Sequence, residues 1–113
     1  MAHSADGWQA RIDSTRVVEH GGLIYHLNTP ACSALLRMLR LADYPADGVE
    51  VPEMLVTMAR DTAYELGMME LIVWRKLGLS IRARFTARGL TVANMINSEG
   101  RQRQRALHRY AAR

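Results

Sequence analysis

A mainly α-helical single domain, organised on one long central helix, is the fold class this sequence predicts, and three observations predict it. The stretch from Pro52 to Gly78, PEMLVTMARDTAYELGMMELIVWRKLG, carries a helix start and a helix stop at its two ends. A second helical pattern follows the Thr29-Pro30 pair. The chain has 113 residues, 49% of them hydrophobic, which suits one domain with a real but modest core.

Residues 1–7 read as a frayed terminus. From Arg16 to Leu27, RVVEHGGLIYHL sets two β-favouring runs around Gly21-Gly22, a pair that a two-residue hairpin turn accepts. A β-hairpin there pairs Val18 with Tyr25 and His20 with Leu23; a helix broken by the glycines is the competing pattern. An isolated two-stranded ribbon is only marginally stable, so this one has to lie on helices or on another chain. Thr29 as cap and Pro30 just inside start the next helix, which supplies Leu35, Leu36, Met38, Leu39 and Leu41 and ends before Tyr44-Pro45. The acidic, Pro- and Gly-punctuated ADYPADGVEV then returns the chain over the surface.

In the long helix, Pro52 fits the first helical position and Glu53 places a carboxylate at the positive end of the dipole. Arg75 and Lys76 put cations in the last turn, and Gly78 suits a left-handed stop. Helical projection gathers Leu55, Met58, Ala59, Thr62, Ala63, Leu66, Met69, Val73 and Leu77 into a core-facing seam. The opposite side starts polar and turns apolar at Tyr64, Gly67, Met68 and Leu71, flanked by Ile72 and Trp74. That second apolar face, with Gly67 permitting close approach, points to another chain, either a dimer mate or a target. On this reading Leu71→Asp weakens association, whereas Leu66→Asp damages folding.

After Gly78, Ile81, Ala83 and Phe85 alternate with Arg82, Arg84 and Thr86, which is strand-like; Ser80 as cap and Gly89 as stop also make a short helix, and the helix is preferred. Leu90, Val92, Met95 and Ile96 continue as a helical segment, Ser98-Glu99-Gly100 interrupts it, and residues 101–113 are expected to be flexible. The candidate interface is therefore Tyr64, Gly67, Met68, Leu71, Ile72, Trp74 and Phe85, with Arg75, Arg82, Arg84 and Arg88 as a basic rim. Trp and Arg are common energetic anchors of interfaces, and methionine adapts to irregular partners.

Composition narrows the function classes. Residues 1–74 hold five arginines against ten carboxylates, and residues 75–113 hold ten basic residues against Glu99 alone. A basic C-terminal third makes a DNA-binding regulator the alternative reading, although a helix-turn-helix around Gly89 sets Arg84 and Arg88 where apolar residues belong. A single cysteine, Cys32, rules out an internal disulfide framework and suits a reducing cytoplasm. His20, His26 and Cys32 are spaced too widely for known zinc pairs, so no metal or cofactor is expected. No phosphate loop, nucleophile elbow or paired-carboxylate motif occurs, so no enzyme is expected; nor is a signal peptide or a membrane span, which leaves a cytoplasmic protein.

The segment YELGMMELIVWRKLG, Tyr64–Gly78, together with the chain's size and expected helical character, resembles the QslA-like quorum-sensing antiactivators. The resemblance implies a non-enzymatic homodimer that occupies the ligand-binding domain of a LuxR-type transcription activator and blocks its dimerisation or DNA binding. It carries no motif from which site residues transfer, so those named above come from helical projection.

Overall fold

The β-favouring runs around Gly21-Gly22 fold back on each other as β1 (Arg16–His20) and β2 (Leu23–Leu27), with Val18 opposite Tyr25 and His20 opposite Leu23. Both glycines hold positive φ, 61° and 77°, as a two-residue turn of matching twist requires. This computed structural model describes residues 16–111, with side chains through Gln102; residues 1–7 lie outside the described part. Val18, Tyr25 and Leu27 bury one side of the hairpin, which packs on the C-terminal helix.

Helix α1 (Thr29–Leu41) is capped one residue earlier than expected, by Asn28, whose Oδ1 accepts the Ala31 N–H at 2.9 Å. It buries Ala31, Cys32, Ala34, Leu35, Met38 and Leu39. Its end is a Schellman motif: the Tyr44 N–H donates to Leu39 O and the Asp43 N–H to Arg40 O, with Asp43 left-handed at φ 62°. Asn94 of the last helix holds the following link, donating to Pro45 O (3.1 Å) and Asp47 Oδ1 (2.9 Å).

The single long helix expected from Pro52 to Gly78 does not form, and the fold is mixed α/β rather than mainly α. In its place stand β3 (Met54–Val56), α2 (Arg60–Met68) and β4 (Ile72–Leu77). The stretch preferred as a short helix is β5 (Ser80–Phe85), and Ala87–Ala111 form α3. The three strands make an antiparallel sheet in the order β3-β5-β4, with the last strand of the chain in the middle.

Two local facts explain the difference. Helix α2 ends in a second Schellman motif, Leu71 N–H to Leu66 O and Glu70 N–H to Gly67 O, with Glu70 at φ 58°. The chain then enters Leu71-Ile72-Val73-Trp74, a run of aliphatic, β-branched and aromatic residues that favours an extended strand, with Leu71 and Ile72 both buried. Gly78 is not a helix stop; at φ 63° it is the first residue of a two-residue hairpin turn closed by Leu77 opposite Ser80.

Ile72, Ile81, Ala83, Phe85 and Val56 form the buried side of the sheet, covered by the helical layer. Leu27, Leu35, Met38, Leu39, Leu66, Leu71 and Leu90 are fully buried, each contributing about 1.5–3 kcal/mol of transfer free energy. Helix α3 starts at the Thr86 cap, whose Oγ1 accepts the Gly89 N–H (2.9 Å) and donates to Glu70 O (2.6 Å). Gly89, expected as a stop, thus lies in the first turn, and Ser98-Glu99-Gly100 do not interrupt the helix. Ile96 is the last buried residue of α3 among those with described side chains, and further along the helix the Arg101 guanidinium lies over the Tyr44 ring, 5.6 Å from its centroid.

Candidate functional site: the open face of the sheet

Alternation along β5 sends Ile81, Ala83 and Phe85 into the core and therefore Arg82 and Arg84 to the other side. Directly opposite residues share a face, so the pairing extends this outer side across the sheet: Leu55 and Arg75 flank Arg82, Val73 stands opposite Arg84, and Leu77 opposite Ser80. Leu55, Val73 and Leu77 are 57%, 51% and 49% exposed. All three were expected in the core-facing seam of a helix; the strand period instead turns them outward. Beyond them Leu79 stands fully exposed at the hairpin tip.

Arg75 grips Glu53 with two hydrogen bonds, Nε to Oε1 at 2.9 Å and Nη2 to Oε2 at 3.2 Å, across the outer side of the sheet. The Arg75 hydrogen bond, followed by the charges of Arg75, Arg82 and Arg84, holds the Glu53 carboxyl below its usual range. Exposed on both sides, the bridge fixes geometry more than it stabilises the fold. Next to it opens a cleft of about 540 Å³ lined by Glu50, Glu53, Val73, Trp74, Arg75 and Arg84, among others. Arg82 differs from its neighbours: its Nε is buried and has no hydrogen-bond acceptor among the described residues.

The structure divides the residues that helical projection grouped together. Tyr64 and Met68 are exposed, 63% and 71%, on the outer side of α2. Leu71, Ile72 and Phe85 are core residues and offer nothing to a partner. Gly67 is approached by the chain's own Trp74 rather than by a second backbone, since a Cβ there would lie 2.9 Å from the indole Nε1. Arg75, Arg82 and Arg84 do come together, on the open face. Arg88 does not join them; it sits in the first turn of α3, paired with Glu70 at 3.2 Å.

Other chemistry-bearing groups stay apart. His20 and His26 lie on opposite sides of the hairpin, and Cys32 is buried with its thiol on Leu27 O at 3.8 Å. Burial pushes that thiol's pKa up, with the Arg16 charge acting in the opposite direction. Among the described residues no three of His, Cys, Asp and Glu converge, and no helix is long and apolar enough to cross a membrane. A scan against protein-family models, a search of curated proteins and a search of solved structures each found no match to this chain.

Proposed function

We propose that this chain is a cytoplasmic, non-enzymatic protein-interaction module that recognises its partner through the open face of the three-stranded sheet. One observation carries the reading: three aliphatic side chains, each about half exposed, stand on one sheet face beside three guanidinium groups. A sheet with one face on the core ordinarily turns polar residues to water on the other. Leucine and valine there gain by being covered, and arginine is enriched where proteins meet. Inhibition of a LuxR-type activator, the role that the resemblance implies, is one form of this reading. The homodimer it also implies would use Tyr64 and Met68, neighbours on the outer side of α2.

The test compares wild type with Val73→Asp in affinity capture from native cell extract, read by mass spectrometry. An exposed aspartate leaves the fold intact, so the thermal midpoint holds while specific partners are recovered on the order of tenfold less. Identical recoveries with both proteins would sink the reading, and a LuxR-type activator among the lost partners would support the antiactivator form.

A second reading, nucleic-acid binding, is favoured by the course of α3. The helix runs on to Ala111, well past Ile96, and positions 101, 105 and 109, all arginine, are separated by four residues in one continuous helix. Under this reading, affinity for random-sequence duplex DNA falls steeply with salt and drops on the order of tenfold when Arg101, Arg105 and Arg109 become glutamine. Absent or salt-insensitive binding removes it.

A further inference from the structure

We infer, resting on the interaction reading above, that the occupant of the open sheet face is an acidic amphipathic helix of another protein. Dimensions, charge and the make-up of this chain's own helices all point there. Three strands spaced about 4.8 Å apart make a face about 10 Å across, the width of one helix, and the six-residue strands β4 and β5 run about 20 Å, the length of three to four helical turns. The helical layer already covers the other side, so a helix on this one completes a three-layer arrangement.

The charge on the face is unbalanced. Arg75 has taken the carboxylate of Glu53, while Arg82 and Arg84 form no ion pair among the described residues. Arg82 is the least satisfied, with its Nε out of water and without an acceptor. That Nε is as far out of a partner's reach as it is out of water, so a carboxylate brought from outside would pair with the exposed Arg84 and with the half-buried Arg82 guanidinium at the surface, supplying acceptors that the described residues do not. Leucines along the seam of the incoming helix would cover Leu55, Val73 and Leu77, with glutamates or aspartates beside them meeting the guanidiniums.

Among the described residues, a second copy of this chain does not supply such a helix. Two open faces apposed about a twofold axis would set arginine on arginine. The charged residues of α1 are Arg37 and Arg40, and α3 carries Arg88, Arg101, Arg103, Arg105 and Arg109 against Glu99. Helix α2 does set the carboxylates Asp61 and Glu65 beside the exposed Tyr64 and Met68, but its nine residues span only about 14 Å, short of the strands it would have to cover, and Glu65 already accepts from Asn28 Nδ2 at 3.2 Å. Nucleic acid fits the face less well than protein does. Bases stack on aromatic rings, and the outward register positions hold none, while phosphates gain nothing from leucine and valine.

The full-length protein is titrated into three fluorescein-labelled probes, read by anisotropy: a 20-residue amphipathic helical peptide of leucine and glutamate, the same peptide with glutamine for glutamate, and a 20-base-pair random duplex. The glutamate peptide is expected to bind at least tenfold tighter than the glutamine peptide. Arg82→Gln with Arg84→Gln is expected to remove most of that difference, and Val73→Asp to weaken the glutamate peptide at least tenfold. Equal binding of both peptides, still sensitive to Val73→Asp, overturns the acidic partner and leaves the interaction reading standing. Binding of neither peptide, or of both without sensitivity to Val73→Asp, overturns the helical occupant, and the capture experiment then decides separately whether the face docks anything. Duplex bound in preference to the glutamate peptide, and lost with Arg82→Gln and Arg84→Gln, overturns it in favour of nucleic acid. Because the two-peptide comparison needs no altered protein, it stands even where a variant folds poorly.

Discussion

Gly89→Ala is expected to leave the protein largely unfolded at temperatures where the wild type is intact. A Cβ at this position would lie 1.7 Å from the carbonyl oxygen of Leu71 and 2.6 Å from its carbonyl carbon, both main-chain atoms. That carbonyl accepts the Thr86 N–H at 3.1 Å, and the Leu71 N–H is held by Leu66 O at 3.1 Å. To relieve the clash, α3 has to back away from the end of α2, undoing the Thr86 cap and the second Schellman motif together. Overpacking by a side chain costs about 1–3 kcal/mol; here no rotamer can give way, so a cost of about 3 kcal/mol or more is expected against a total stability of about 5–15 kcal/mol. Further along the same helix, Gly100 has nothing within 4 Å of its missing Cβ, and Gly100→Ala is expected to stabilise by about 0.5–1 kcal/mol. Urea denaturation followed by circular dichroism compares the two. A Gly89→Ala midpoint close to wild type would mean that the contact between α3 and Leu71 is not as described.

The second large effect is expected from Leu71→Asp. Read as part of a long helix, Leu71 belongs to an exposed interface, and its replacement by aspartate yields a soluble monomer. In the fold it is 0% exposed, at the point where α2 gives way to β4. An aspartate there loses the burial of leucine and leaves a carboxylate without water or a partner, so a loss of about 4 kcal/mol or more is expected, enough to abolish soluble expression or the thermal transition. Leu66→Asp should behave alike, since Leu66 is also 0% exposed and meets Leu71 across the same helix end. Val73→Asp lies two residues on, facing outward, and is expected to change stability by less than about 1 kcal/mol. A folded Leu71→Asp protein with a wild-type midpoint would overturn the assignment of β4.

What the sequence could and could not reveal follows from these residues. The N-terminal hairpin and α1 are legible because their punctuation is carried by residues whose chemistry announces it, Gly21-Gly22 and Pro30, although two adjacent residues can cap a helix and Asn28 takes the place read for Thr29. The end of α2 is silent, because the left-handed position is filled by Glu70 rather than glycine. With no stop visible, the apolar residues on both sides of Gly67 merge into one continuous helical pattern, and Gly78 becomes its only terminus. The alternation of Ile81, Ala83 and Phe85 with arginines does mark β5, and the two residues Gly78-Leu79 mark the turn that leads into it. Taken together they would have placed Arg75, Arg82 and Arg84 on one face with Val73 and Leu77. Leu55 is harder to find, since β3 has three residues and pairs with a strand far along the chain.

That unequal distance gives the open face a built-in order of assembly. Strands β4 and β5 close through a two-residue turn, a local event on the microsecond scale, so Val73, Arg75, Leu77, Arg82 and Arg84 come together early. Strand β3 has to find β5 across roughly two dozen intervening residues, with α2 in between, at the larger entropic cost of a long loop. As a three-residue edge strand it has few ladder hydrogen bonds with which to resist local opening, and side chains hold its ends, Arg75 on Glu53 and Arg37 on Thr57 O. Leu55 is therefore expected to arrive last and to leave first, and the partner proposed for this face, lying across all three strands, would act as a clasp that closes the seam more firmly than the Arg75–Glu53 bridge alone.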